Sequence, residues 1–308
     1  MAVGPTTLST TAPRTSRRHL NRDLLLAIVV LTPSIIGVAI FIYTFIAWTF
    51  WISTVNWNTS VIDYTFVGLR NWERMLGSFR FQMNLRNLAL YALGFMSQCI
   101  IVGFLLASLL DQRIKGEAVF RTIFIFPFAV SAVVTGVAWR WLMRPETGIN
   151  LLFESVGLGF LKSKWFADPT WGILFITIAS GWQFAGYVMA LYLAGLRGIP
   201  SEVKEAAQMD GCNTWNLYRH IIIPMLAPVT YTAIVLTGMG AIRVFDIVTV
   251  ISGSGQAFST DMLAYHMFEQ MFTANRFSLS AVIGAFMIIL SVFLVVPYLL
   301  SVRKEQER

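Results

Sequence analysis

Long runs of apolar residues alternate with short polar connections along most of this chain. A helix needs about 20 mostly apolar residues to cross the hydrocarbon core of a bilayer. Six runs reach that length, and we predict membrane helices at residues 24–48, 88–110, 120–142, 171–196, 229–251 and 280–302. The pattern predicts an all-α polytopic membrane protein with a membrane domain at 24–302, a disordered tail at 1–23 and a short tail at 303–308.

The positions of Lys and Arg predict which way these helices cross the membrane. Basic residues concentrate in the connections that face the cytoplasm when both termini are placed there, and a cluster precedes the first run. An excess of Lys and Arg in short loops marks the cytoplasmic side. We therefore predict a multi-pass protein with both termini in the cytoplasm, so that the connection at 200–228 also faces the cytoplasm.

Composition agrees with a membrane protein and excludes several other classes. Charged residues make up 13% of the chain, against about 25% in ordinary soluble domains. The net charge of +7 is spread between apolar runs and forms no basic stripe, so we expect no nucleic acid partner. Cys99, Cys212, His220 and His266 show no metal-ligand spacing, and we expect no metal.

The connection at 200–228 is unlike the others because it favours helices. Its first part, EVKEAAQM, places acidic residues near the positive end of a helix and good helix formers after them. Gly211 permits a sharp turn, and Trp215, Tyr218 and Ile222 then share one predicted apolar face. We predict a helix, a turn and a second helix, with a hairpin lying on the membrane surface as the alternative.

The sequence EAAQMDGCNTWNLYRHIIIPMLAP resembles the EAA motif of the membrane subunits of binding-protein-dependent ABC importers. The matching positions are Glu205, Ala206, Ala207, Asp210, Gly211, Trp215, Tyr218, Ile221, Pro224 and Pro228. Cys212 and Ile223 depart mildly from the usual Ala and Leu. Over roughly 171–302 the chain is similar to the carbohydrate branch, of the maltose and glycerol-3-phosphate type, and to the first permease of the pair. The run ISGSGQ replaces that branch's usual T-x-G-G-P.

The resemblance implies that the transporter consists of several kinds of subunit with different functions. The 200–228 hairpin would be a coupling helix, between the fourth and fifth membrane helices, that docks on a separate dimer of ATPase subunits. The implied coupling residues are Glu205, Ala206, Ala207, Asp210, Gly211, Trp215, Tyr218, Ile221 and Pro224. The chain has no G-x-x-x-x-G-K-[ST] loop, so we expect no enzymatic activity and no cofactor here, with ATP and Mg bound by the partner ATPase.

The remaining implied partners are a second homologous permease, an extracytoplasmic solute-binding protein and a sugar-like solute. The implied location is the cytoplasmic membrane of a bacterium or an archaeon.

Polar residues inside the apolar runs are candidates for the path of the solute. In the fourth run Gln183, Gly186 and Tyr187 share one helical stripe, and the neighbouring Trp182 adds a ring face, which suits sugar rings and hydroxyls. Interhelical hydrogen bonding is an equally good interpretation of Gln183 and Tyr187.

In the fifth run Arg243 and Asp246 lie three residues apart. We expect them to neutralise each other as a structural ion pair, with a role in the solute path as the alternative.

Other functions remain open at this point. Within the importer class the solute is a sugar, a related polyol or another solute such as a phosphorylated polyol. From a different class, a secondary transporter would need coupling carboxylates near the bilayer centre, and only Asp246 resembles one.

Overall fold

The computed structural model describes the backbone of residues 17–112 and 114–306 and the side chains of 24–112 and 114–300. Its principal helices, in chain order, are α1 Arg17–Ile52, α2 Arg70–Leu76, α3 Phe79–Asp111, α4 Glu117–Ala129, α5 Ala132–Leu142, α6 Ile149–Ser155, α7 Gly172–Gly198, α8 Ser201–Met209, α9 Thr214–Met225, α10 Ala227–Ile242, α11 Asp246–Ile251, α12 Leu263–Phe268 and α13 Phe277–Gln306. The contacts divide the chain into two units, which meet between Trp48 and Thr49, and the core and the sites described below belong to the second unit.

The apolar runs form helices, as predicted for a polytopic membrane protein. Four of the described helices are long and apolar enough to cross a membrane: Leu24–Ile52, Phe79–Asp111, Gly172–Gly198 and Phe277–Leu300. Two bent helix pairs bring the number to six if each pair is one span: α4 with α5, and α9 with α10. The bilayer imposes this architecture, because a helix satisfies its own backbone hydrogen bonds where no water is available.

The predicted third run at 120–142 is not one straight helix. It bends by 95° between α4 and α5. Pro127 lies in the last turn of α4, and Val130 adopts extended backbone angles. The bend is local, because Pro127 cannot donate a backbone hydrogen bond and the extended Val130 ends the helical ladder.

The predicted fifth run at 229–251 is also interrupted. Helix α10 has 16 residues and ends at Ile242, and α11 starts only at Asp246. At 1.5 Å per residue α10 is about 24 Å long, which is shorter than the roughly 30 Å hydrocarbon core. Its N-terminal end meets α9 at a bend of 65°.

The other observed helices differ from the predicted ones mainly because they are longer. Helix α3 begins at Phe79 instead of 88, and α13 begins at Phe277 and continues to Gln306 through most of the predicted tail at 303–308. Of the predicted disordered tail at 1–23, residues 1–16 lie outside the described residues. Residues 17–23 belong to α1.

Helices α3 and α7 pack along their length and form the centre of the core. Tyr91, Phe95 and Cys99 on α3 are buried against a face of α7 that includes Val188 and Met189. Within this contact the Tyr91 hydroxyl donates a hydrogen bond to Ser180 Oγ at 2.7 Å. The pair forms a well-packed unit against which the bent helices can be positioned.

A buried charged cluster attaches the segment after α11 to the start of α3. Arg80 donates through Nε to Asp261 at 2.6 Å and through a terminal nitrogen to Glu269. Its guanidinium lies 4.8 Å from the centre of the Phe258 ring. Asp261 is completely buried, and burial raises the pKa of its carboxyl while Arg80 opposes that change. His266 is buried beside this cluster.

Removing this buried charge pair should destabilise the protein. We expect Asp261→Asn to lower the free energy of unfolding by about 2 kcal/mol, because Arg80 then loses its charged partner at Asp261 and keeps only the one at Glu269. The thermal unfolding midpoint of the purified protein in detergent measures the effect. Glu154→Gln is the control, because it breaks the exposed ion pair with Lys162, which contributes less than about 1 kcal/mol. Equal midpoints for the two variants would contradict a stabilising role for the cluster.

Candidate functional site

The 200–228 connection forms a helical hairpin with a tight turn. Helix α8 ends with Gly211 in the left-handed region, at φ +80°. There Gly211 N donates to Gln208 O and Cys212 N donates to Ala207 O, both at 3.0 Å. This pair of hydrogen bonds covers two carbonyls at the helix end and requires the backbone conformation that glycine adopts most readily. Asn213 then caps α9 by accepting from Asn216 N at 2.8 Å.

One face of the hairpin packs on the membrane helices. Ala207, Leu217 and Ile222 are buried in the main core cluster, and Ile221 and the Tyr218 ring pack against it. The Tyr218 ring meets Phe104 of α3 edge to face at 6.2 Å. These contacts attach the hairpin to α3.

The opposite face is open, and it carries most of the predicted coupling residues. Glu205, Ala206, Asp210, Gly211 and Pro224 are exposed. The exposed fraction is 88% for Met209 and 70% for Trp215. Sequence reasoning missed Met209, whose position in the last turn of an otherwise polar helix was the available signal. Acidic and apolar groups therefore share one uncovered surface.

Trp215 does not share the buried face predicted for it together with Tyr218 and Ile222. A π-helical turn at Tyr218–Ile222 changes the angular spacing of the residues that follow Leu217. The buried positions in this part are therefore Leu217 and Ile222, and the indole of Trp215 lies at the surface.

All four predicted solute-path residues of the fourth run lie against the bent span. Gln183 Nε2 donates to the carbonyl of Val130 at 2.6 Å, where the bend leaves that group without a helical partner. The Tyr187 ring stacks on Phe128 at 4.8 Å. Gly186 is buried so closely against α4 that a Cβ atom there would lie 1.8 Å from Phe124 O. The amide of Gln183 thus makes an interhelical hydrogen bond, and a role of these residues in the solute path stays a prediction.

Trp182 is the exposed member of this group. Its ring lies 6.0 Å from that of Trp139 on α5, in an edge arrangement. Both rings line a cavity of about 280 Å³ beside the bend, together with Val130, Val134, Thr135, Ala138 and Leu142. Trp139 and Thr135 were not predicted as candidates for the solute path, because their proximity to Trp182 arises only when the third run bends.

The expected ion pair between Arg243 and Asp246 is not formed among the residues that the structure describes. Both residues are exposed at the break between α10 and α11, and Arg243 Nε donates to Met239 O at 3.4 Å. The three-residue spacing pairs side chains only on a continuous helix, and the backbone leaves the helical conformation at Phe245.

These features define a polytopic helical membrane protein with a partly uncovered helical hairpin, and comparison with known proteins gives the family. The model of the family "Binding-protein-dependent transport system inner membrane component" matches residues 99–304. The chain belongs to this family and is a multi-pass protein of the inner membrane.

Two relatives and one solved structure illustrate the likeness. A probable ABC transporter permease protein of Pyrococcus horikoshii is 39% identical, with 93% of this chain and 98% of the relative covered. The xylose/arabinose import permease protein of Haloferax volcanii is 33% identical, with 77% of this chain and 75% of the relative covered.

The solved structure is that of a bacterial ABC transporter involved in the import of the acidic polysaccharide alginate. It has a TM-score of 0.75 and 20% identity and covers 94% of this chain and 98% of that chain. This likeness shows the fold.

The close approach of α7 to α4 can be tested by substituting alanine for glycine at a crowded position and at an open one. We expect Gly186→Ala to lower the thermal unfolding midpoint in detergent, because the added methyl meets the backbone of Phe124. Gly198→Ala is the matched control, since a Cβ atom there has no neighbour within 4 Å. An unchanged midpoint for Gly186→Ala would contradict the packing described here.

Proposed function

We propose that this chain forms half of the translocation pore of an ABC importer for a sugar or related polyol, and that its hairpin couples the pore to a separate ATPase. The observation that carries the proposal is the uncovered surface of the hairpin. Met209 and Trp215 are exposed on the hairpin, as are Glu205 and Asp210, while the buried face of the hairpin packs on α3.

The chemistry of this surface suits a protein partner better than a lipid surface. An interfacial helix that binds anionic lipid presents basic residues beside its apolar ones. Here the exposed charged residues of the hairpin are three carboxylates, those of Glu202, Glu205 and Asp210, against one guanidinium, that of Arg219, so this surface is not basic. Apolar side chains ringed by charge are typical of a protein docking site, and a basic groove on the ATPase would complement Glu205 and Asp210.

In this proposal the work of transport comes from the partner. Two ATPase subunits bind ATP and Mg, close on each other and displace the docked hairpins of both permeases. The hairpin faces the cytoplasm in this arrangement, as do both termini. Because its buried face packs on α3 and the core, displacement of the hairpin would change the packing of the membrane helices and expose the pore to the other side.

The solute class rests on relatives and on the aromatic cavity. The Haloferax relative is named for xylose and arabinose import. Trp182 and Trp139 offer ring faces, which suit the C–H faces of a sugar, and Gln183 and Tyr187 lie on the same helix. The pore would be completed by a second homologous permease, and an extracytoplasmic solute-binding protein would deliver the solute.

A second candidate solute, a phosphorylated polyol, is favoured by one observation. Arg243 is exposed and makes no ion pair with Asp246 among the described residues, so its guanidinium is available to a phosphate. If Arg243 faces the pore, this charge would select anionic solutes.

Coupling can be tested with Glu205→Lys and Gly211→Pro. We expect both variants to insert into the membrane and both to lose co-purification of an ATPase in mild detergent. The first reverses a charge on the docking surface, and the second forces φ near −65° where the turn has +80° and removes the N–H that covers Gln208 O.

Gly157→Pro serves as the matched control for the second variant. Gly157 also has a positive φ, of +77°, but lies in the connection between α6 and α7, away from the hairpin. Retention of the ATPase by both hairpin variants would refute the assignment of the hairpin as the coupling element.

The solute class can be tested by uptake into cells that contain or lack this chain. We expect chain-dependent uptake of a labelled neutral sugar or polyol from a panel that also contains glycerol-3-phosphate. Arg243→Ala should change that neutral uptake by no more than about twofold. Chain-dependent uptake of glycerol-3-phosphate alone, abolished in Arg243→Ala, would select the second candidate instead.

A further inference from the structure

We propose that two ion pairs, Lys204–Asp111 and Arg197–Glu117, are positioning pairs that pass the displacement of α8 to α3 and to the bent span α4–α5. The inference rests on the proposed function, because it assumes that the hairpin is displaced by an ATPase. It adds the route by which that displacement reaches the membrane helices.

The two pairs join the same two connections of the chain. Lys204 Nζ lies 2.9 Å from Asp111 Oδ2, and an Arg197 terminal nitrogen lies 2.6 Å from Glu117 Oε1. Asp111 is the last residue of α3 and Glu117 is the first residue of α4, so the acidic partners stand at the two ends of the connection 112–116. Both basic partners lie on the stretch that ends α7 and begins α8.

A polar cavity of about 650 Å³ separates these two connections, and all four charged side chains line it. Besides the apolar packing of Leu196 and Ile199 in the core cluster, the two ion pairs join these connections directly. Lys204 is on the second turn of α8, only one residue before Glu205 of the docking surface. A force on α8 therefore acts directly on the Lys204 side chain.

The charged side chains of both ion pairs lie at the ends of helices. Lys204 meets the negative C-terminal end of α3, and Glu117 lies in the positive first turn of α4, while Arg197 is in the last turn of α7. Each pair thus connects helix ends, where a small displacement moves a whole rigid helix. Through Glu117 the contact reaches α4, whose other end is held to α7 by Gln183 and Gly186 at the bend.

Stability alone gives little reason for these pairs. Partly exposed ion pairs contribute little to folding, because water screens them and because long side chains lose freedom on pairing. The side chains of Arg197 and Glu117 are 40% and 22% exposed, and those of Lys204 and Asp111 are 28% and 15% exposed. Breaking either pair should therefore leave the fold intact but change how the displacement of α8 reaches the membrane helices. An experiment can thus separate a role in stability from a role in transmitting movement.

The experiment measures movement of the bent span without requiring a known solute. A single cysteine replaces Val134 of α5, which is 59% exposed, in a chain that also carries Cys99→Ala and Cys212→Ala. The tagged complex is purified from its own cells, and labelling of the new thiol by a maleimide is timed without nucleotide and after trapping with ATP and vanadate. We expect trapping to change the labelling rate by at least about fivefold in this parent.

Charge reversal then tests the first pair. We expect Lys204→Glu to retain the ATPase and its basal hydrolysis but to lose the nucleotide-dependent change in labelling. The double variant Lys204→Glu with Asp111→Lys should recover most of that change, since it restores the pair with the charges exchanged.

The second pair is tested in the same way. Arg197→Glu with Glu117→Arg should recover the nucleotide-dependent change in labelling that Arg197→Glu alone loses. Lys162→Glu, which breaks an exposed pair in the connection after α6, is the control and should resemble the parent.

The outcomes distinguish this inference from the proposed function. A normal response in both single reversals, with the ATPase lost in Glu205→Lys, would overturn the inference and leave the proposed function standing. Loss of the ATPase from Lys204→Glu, or an exchanged pair that stays unresponsive, would place Lys204 in the docking surface and also overturn the inference. A parent complex without an ATPase, or without any response to trapping, would overturn both.

Discussion

The structure depends on one constraint, which is that every backbone polar group in the apolar bilayer needs a partner within the protein. Continuous helices such as α3 and α7 meet this requirement with their own hydrogen bonds. A break frees carbonyls, and the protein must then supply side chains to cover them. At the bend between α4 and α5, Gln183 donates to Val130 O, so a polar residue in an apolar helix has a definite structural task.

The breaks in the helices also determine where function can reside. The bend brings Trp139 next to Trp182 and creates the cavity beside them. The break after α10 exposes Arg243 and Asp246, and the turn at Gly211 allows α8 to present its open face. Between these places, the α3–α7 pair is a packed unit that is expected to move as a whole. In the proposed function, these irregular positions are the ones that contact the partner and the solute and that move.

Much of this arrangement was predictable from the sequence, and the successes have a physical reason. Hydropathy over about 20 residues identifies membrane helices because the bilayer sets their length. The hairpin was predictable because Gly211 permits its turn, because good helix formers precede that turn, and because the EAA motif is specific. The family assignment suggested by that motif is confirmed by the family model.

The remaining features depend on contacts between distant parts of the chain. Pro127 is visible in the sequence, but the 95° bend also requires Gln183 to cover Val130 O, more than 50 residues away in sequence. Trp215 and Ile222 lie on different faces because a π-helical turn ends at Ile222, and a 3.6-residue period does not reveal that turn. The Arg80–Asp261 pair joins residues separated by 181 positions, which no local pattern connects.

The central claim is that the open face of the hairpin contacts an ATPase, and photo-crosslinking in native membranes tests it most directly. A photoreactive amino acid at position 209 would probe that face, and the same group at Phe160, which is 80% exposed in the connection after α6, would be the control. We expect position 209 to form an adduct with a nucleotide-binding ATPase and position 160 to form none. Adducts of position 209 with lipid alone would contradict this claim.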